Sequence, residues 1–151
     1  MLKRIMTGAL AGAIATVPQS AAVWGLKEAG LYDRPAGPEQ VSASLTSRAL
    51  KENAAAQPWF APAMLTQHIG FGAAGGAIYA LLSTVVRPNA LTGLIAGLAI
   101  WKISYDGWIP ALKIMPPPTE DERGRQIALL AAHAAYGLTL GALLGRLSSE
   151  P

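Results

Sequence analysis

The chain of 151 residues has no cysteine, only two histidines and few charged side chains. The absence of cysteine excludes a disulfide scaffold, a cysteine-ligated zinc or iron–sulfur centre and a thiol nucleophile. Because His68 and His133 are the only imidazoles, a three-histidine metal centre within one chain is excluded too, and we predict no metal site. Charged residues make up 14% of the chain and hydrophobic residues 52%, whereas an ordinary soluble domain has about 25% charged residues. This composition excludes a disordered chain and indicates a membrane protein.

Four stretches are apolar enough to cross a bilayer, which takes about 20 residues. They cover about residues 5–25, 64–86, 90–109 and 127–147. Most charges lie in two long loops, about residues 26–62 and 110–126, and only a short turn separates the second stretch from the third. We therefore predict one all-α domain over residues 1–151, an integral membrane four-helix bundle. Within the first loop, Pro38 and Glu39 suit a helix start and predict a short helix at the membrane surface.

Basic residues at the chain ends and the short turn suggest the orientation in the membrane. Lys3, Arg4, Arg87 and Arg146 have few acids nearby. Positive charge in short segments favours the cytoplasmic side, so we expect both termini to be cytoplasmic. The N-terminal stretch also has the pattern of a signal peptide, but part of it recurs later in the chain, which favours a retained span.

Two motifs occur twice and in the same order. The pattern T-G-x-x-A-G begins at Thr7 and at Thr92, and H-x-x-x-G-x-x-x-G begins at His68 and at His133. This order predicts two tandem two-helix repeats related by a two-fold axis along the membrane normal. Small residues at every fourth position let helix backbones approach closely, which drives helix association in lipid. We assign this packing role to Gly8, Gly12, Gly72, Gly76, Gly93, Gly97, Gly137 and Gly141.

The two histidines are the first candidates for a functional role. His68 and His133 each lie on the small-residue face of their own helix, so their rings are expected to point into helix seams. The sequence leaves three roles open. The rings would serve as interhelical hydrogen-bond partners, as a proton relay, or as the two axial ligands of a b-type haem.

The third stretch and the second long loop supply the other candidates. Lys102 and Asp106 are four residues apart and can pair on one helix face, either in an aromatic belt at the interface or in the wall of a cavity. Arg123 and Arg125 adjoin the acids of residues 120–122 and are expected to neutralise them. The candidate polar cluster comprises His68, His133, Lys102, Asp106, Tyr105 and Arg125.

Known catalytic and nucleotide-binding motifs are absent from the sequence. It contains no G-x-x-x-x-G-K-[ST], no G-x-S-x-G and no H-E-x-x-H. Its basic residues are scattered among acids, which argues against nucleic-acid binding. We therefore predict no catalytic residue and no cofactor. The expected partners are the lipid bilayer and, through the small-residue faces, a second copy of the chain or another membrane protein.

Several segments together resemble a known family. They are residues 68–79, 107–112 and 132–137, with Pro116–Pro118 and Arg125, and the run H-x-x-x-G-x-x-x-G-x-x-Y that begins at His68 is the most specific. The chain resembles the YagU-type bacterial inner-membrane proteins, a family without an assigned biochemical function. The resemblance implies a small multi-pass inner-membrane protein linked to stress, and it implies no catalytic residues.

Composition, motifs and resemblance together favour a non-enzymatic accessory or stress-related membrane factor. The first alternative is a small channel, transporter or proton-relay protein that uses His68, His133 and Asp106. The second is a membrane protein with a b-type haem held by both histidines.

Overall fold

The computed structural model describes residues 1–147, and over this range the protein is all-helical with no strand. Its helices are α1 (Leu2–Glu28), α2 (Gly37–Leu50), α3 (Phe60–Leu82), α4 (Ala90–Ile103), α5 (Ile109–Ala111) and α6 (Arg123–Leu147). A π-helical segment, Ser104–Trp108, joins α4 directly to α5. Two further turns, Ala54–Ala56 and Pro118–Glu120, are 3₁₀-helical.

The predicted all-α class is confirmed, but within residues 1–147 the bundle contains five principal helices rather than four. The fifth is α2, which the helix-start residues Pro38 and Glu39 had indicated. This helix packs against α3. The loop of residues 26–62 is therefore a structured part of the bundle and not a simple connection.

Helix ends differ from the predicted bounds for local reasons. Helix α3 stops at Leu82 rather than near residue 86, because the hydroxyls of Ser83 and Thr84 donate hydrogen bonds back to the carbonyls of Ala80 and Leu81. Helix α4 begins at Ala90, where Asn89 accepts hydrogen bonds from the first free backbone amides and exchanges a capping box with Thr92. Such a cap satisfies donors that have no partner within the helix.

The long helices lie side by side in the order α3, α1, α6, α4. Helix α1 packs along α3 and α6, and α4 packs along α6. Helices α3 and α4 hardly touch each other, and one of their few contacts is a 2.8 Å hydrogen bond between the hydroxyls of Tyr79 and Thr92 near the short turn. A two-fold axis would make the α1–α6 and α3–α4 seams equivalent. The α1–α6 seam is closely packed and the α3–α4 seam is largely open. The predicted two-fold symmetry therefore does not relate these two seams.

Close backbone contacts join the two helices within each hairpin. Gly12 faces the carbonyl of Gly72, so that no side chain fits at Gly12, and a side chain at Gly72 would meet that of Thr16. In the second hairpin the residue that faces the equivalent carbonyl, that of Gly137, is Gly93. By sequence Gly93 corresponds to Gly8, not to Gly12. The two hairpins therefore pair in registers that differ by one helical turn.

Two helices, α1 and α6, are long and apolar enough to cross a membrane by length and composition. Only 33% of the apolar window in α1 and 44% of that in α6 is buried in the bundle. The core helix of a soluble protein would be mostly buried. The spans proposed for residues 64–86 and 90–109 do not meet this criterion, and they stay predictions.

Candidate functional site

The π-helical segment Ser104–Trp108 shapes the interior of the bundle. A π turn accommodates one extra residue, and such turns often occur at functional sites. Here the segment and the residue after it bring Ser104, Tyr105, Trp108 and Ile109 to the wall of an internal cavity. No residue type in S-Y-D-G-W marks a π turn, so sequence reasoning missed it.

The cavity has a volume of about 160 Å³, and α3 and the π-helical segment both line it. Helices α1 and α6 contribute one side, and α2 covers it through Val41 and Leu45. The walls are mostly apolar, with Phe71, Trp108 and Leu129 among them. None of its lining residues within residues 1–147 is Asp, Glu, Lys or Arg.

Both histidines line this cavity, one from α3 and one from α6. The Nε2 atom of His68 lies 3.1 Å from the hydroxyl of Ser20, and the indole of Trp24 stands edge-on to its ring. The Nδ1 atom of His133 lies 2.8 Å from the carbonyl oxygen of Leu129 and donates to it. In the neutral ring this leaves Nε2 of His133 as a hydrogen-bond acceptor.

Three buried polar side chains line the same cavity. Gln19 is 8% exposed, Ser42 4% and Ser104 5%. In the part of the chain that the structure describes, none of the three side chains forms a hydrogen bond. Sequence reasoning did not select them, because a single amide or hydroxyl in an apolar helix is a weak signal. They came together only through packing of α1, α2 and the π-helical segment.

A buried polar network holds α2 in place over the cavity. Arg125 is fully buried, and its guanidinium contacts the carboxylate of Asp121 at 2.7 Å, the amide oxygen of Gln40 at 2.7 Å and the carbonyl of Pro35 at 3.2 Å. The hydroxyl of Tyr105 donates to Asp121 at 2.6 Å. The network therefore joins α2, the π-helical segment and the start of α6.

The network also changes the acidity of Asp121. Burial alone would raise the pKa of this carboxyl. Hydrogen bonds from Arg125, Tyr105 and the backbone amide of Glu122 outweigh burial, so the pKa lies below its ordinary value. The carboxylate thus stays ionised beside the guanidinium of Arg125.

The structure places the six candidates of the polar cluster in three groups. His68, His133 and Tyr105 line the cavity. Arg125 belongs to the network that fastens α2. Lys102 and Asp106 form an ion pair with each other, as their spacing allows, on an exposed face of the protein. Asp106 is not among the residues that line the cavity, so it does not join the histidines.

Comparison of the chain with protein-family models, curated proteins and solved structures found no match. No family is therefore assigned. The resemblance to the YagU-type proteins stays a prediction.

Proposed function

We propose that this protein is a non-enzymatic, four-span inner-membrane protein, an accessory factor whose binding site is the cavity beside His68 and His133. The observation that carries the membrane location is the distribution of side-chain size. Large apolar residues lie on the outside of the bundle, where Leu10, Ile78 and Ile95 are each 60% or more exposed. Glycine and alanine fill much of the inside. Soluble monomers rarely expose large contiguous apolar patches.

Helix lengths support four crossings. Helix α3 has 23 residues, which corresponds to about 34 Å at 1.5 Å per residue. The hydrocarbon core of a bilayer is about 30 Å thick. Helix α4, the π-helical segment and α5 form a continuous run from Ala90 to Ala111. Each of these runs is thus long enough to cross beside α1 and α6.

Single-cysteine labelling tests this topology directly, because the natural chain has no cysteine to remove. We would introduce Glu52→Cys in the first long loop and Thr84→Cys in the short turn, and label intact cells with a membrane-impermeant maleimide. Glu52→Cys is expected to react from outside, and Thr84→Cys only after the membrane is opened. The unmodified chain is the control. Reaction of both positions in intact cells, or release of the protein from membranes by alkaline carbonate, would overturn the proposal.

The cavity favours a binding role over a haem role. Its volume of about 160 Å³ suits one six-membered ring rather than a porphyrin. In addition, Nε2 of His68 is occupied by the hydroxyl of Ser20. An absorption spectrum of protein purified from haem-replete cells checks this, and we expect no Soret band. A Soret band that disappears in both His68→Ala and His133→Ala would make the haem alternative correct.

The channel or proton-relay alternative relies on Asp106 acting with the two histidines. In the structure Asp106 instead pairs with Lys102 on an exposed face. The geometry therefore supports a local binding site more strongly than a continuous polar path. Proton flux into proteoliposomes that depends on both His68 and Asp106 would contradict this choice.

A further inference from the structure

We infer that the cavity binds a neutral, ring-sized molecule that carries a hydroxyl or carbonyl group and enters from the lipid through the open α3–α4 seam. The chemical class of the ligand follows from the cavity itself. Only the entry route rests on the proposed membrane location.

The size of the ligand follows from the volume and walls of the cavity. Its volume of about 160 Å³ is close to that of an engineered apolar cavity of about 150 Å³ that binds benzene. The aromatic rings of Phe71, Tyr105 and Trp108 form part of the wall. Flat apolar surfaces of this kind suit a single aromatic ring by offset stacking or edge contacts.

The charge of the ligand follows from the lining. Within residues 1–147, no ionic side chain reaches the cavity surface. An isolated charge in such an environment is strongly disfavoured, because no opposite charge replaces its hydration. The ligand is therefore neutral.

The polar group of the ligand follows from the side chains that lack partners. Gln19, Ser42 and Ser104 are each more than nine-tenths buried and face the cavity without a hydrogen bond to the rest of the described chain. Within residues 1–147 the fully buried side-chain nitrogen or oxygen without a partner is Nε1 of Trp101, so the polar atoms of these three residues are still accessible from the cavity and can bind a ligand there. A ligand hydroxyl would accept a hydrogen bond from one of these groups and donate its own proton to Nε2 of His133.

The entry route follows from the open seam. Helices α3 and α4 hardly touch, and the cavity is lined from both sides of this seam, by α3 and by the π-helical segment. The rings of Phe71 and Trp108 face each other there, with their centroids 6.5 Å apart. Phe71 is 49% exposed although it also lines the cavity. A molecule dissolved in the bilayer would reach the cavity by displacing these two rings, without crossing the water phase.

Three probes of similar size test the ligand class on the full chain in detergent. Phenol offers a ring with a neutral hydroxyl, benzene the ring alone, and benzoate a ring with a negative charge. Binding to the native state raises the midpoint of thermal unfolding by an amount that grows with the logarithm of the ligand concentration divided by Kd. We expect phenol to bind at least tenfold more tightly than benzene, and benzoate to give no shift. Equal affinities for phenol and benzene, or a benzoate shift as large as that of phenol, would overturn the inference.

A pair of variants on α2 locates the binding site. Ser42 lines the cavity, whereas Ser44 on the same helix does not. Ser42→Leu is expected to fill the cavity and lower the affinity for phenol at least tenfold, while Ser44→Leu leaves it unchanged. Phenol partitions into detergent equally in both samples, so comparison of the two variants cancels the effect of this partitioning on the measured affinity. Equal phenol binding by the two variants would place the site elsewhere.

The probe comparison needs only the natural chain, so it still decides the question if Ser42→Leu does not fold. Failure of phenol to bind, together with the expected cysteine labelling, would overturn the ligand inference and leave the membrane topology intact. Phenol binding in a chain with the wrong topology would instead overturn the entry route.

Discussion

The guanidinium of Arg125 lies 2.7 Å from the carboxylate of Asp121, and both side chains are fully buried. Burying two charges costs several kcal/mol per ion after relaxation, and their attraction repays this only with good geometry and further hydrogen bonds. Here those further bonds come from Tyr105, Gln40 and the carbonyl of Pro35. Each additional partner belongs to the π-helical segment or to the chain at the start of α2. The ion pair thus fixes the position of α2 over the cavity.

Removal of the carboxylate should be strongly destabilising. Asp121→Asn leaves the guanidinium of Arg125 buried without an opposite charge, which we expect to lower the free energy of unfolding by about 3–5 kcal/mol. The control is Glu122→Gln, because within residues 1–147 the carboxylate of Glu122 accepts exposed hydrogen bonds from the backbone amides of Asp33 and Arg34 alone. The measurement is unfolding by denaturing detergent, followed by helical circular dichroism. Equal losses in the two variants would show that burial of the pair is unimportant.

The same carboxyl should make stability depend on acid. Its pKa is lower in the folded protein than the ordinary 3.8, so the folded state favours the ionised form. This contribution is present above the unfolded pKa and is lost as the pH falls through the lower folded value. We expect the stability difference between the natural chain and Asp121→Asn to be constant near neutral pH and to shrink below about pH 4. A stability difference that stays constant down to pH 2 would contradict the lowered pKa of Asp121.

Two glycines of α3 provide a test of backbone packing. A methyl group at Gly72 would collide with the side chain of Thr16 on α1, whereas one at Gly70 meets nothing within 4 Å. We expect Gly72→Ala to cost about 1–3 kcal/mol through overpacking, and Gly70→Ala to be neutral or stabilising by up to about 1 kcal/mol. Gly72→Leu and Gly137→Leu should weaken the bundle further. Thermal unfolding in detergent measures the series, and unchanged stability of Gly72→Leu would contradict the packing.

A hydrogen bond between α6 and α3 allows a milder test. The hydroxyl of Tyr136 is buried and donates to the carbonyl oxygen of Gly72 at 2.6 Å. Tyr136→Phe removes this bond and little else, so we expect a loss of about 1 kcal/mol, in the range measured for interhelical bonds in membranes. Thermal unfolding again provides the measurement. Increased stability of the variant would mean that the bond is not formed in solution.

Local sequence signals were sufficient to predict the helices but not to predict how the helices pack against each other. Apolar runs predicted the long helices, and Pro38 with Glu39 predicted α2, because these signals act within one or two helical turns. The acids of residues 120–122 adjoin Arg123 and Arg125 in sequence, which suggested that these charges neutralise each other, and Asp121 does pair with Arg125. Their complete burial was not predictable, since it depends on Gln40 and Pro35, more than 80 positions away.

The cavity was unpredictable for the same reason. The repeated motifs suggested two equivalent seams, and nothing local indicates that α1–α6 closes while α3–α4 stays open. The one-turn difference in register between Gly12 and Gly93 is likewise a result of packing between helices. Gln19, Ser42 and Ser104 therefore acquire a common environment that their own neighbours in sequence do not specify.

The π-helical segment makes the cavity depend on the number of residues as well as on their identity. Each residue turns an α-helix by about 100°, so one residue fewer between Ser104 and Trp108 would rotate everything that follows by that angle. Trp108 and Ile109 would then leave the cavity wall, although no side chain had been replaced. Relatives of this protein that have the same composition but lack this one extra residue would retain the bundle and lose the cavity.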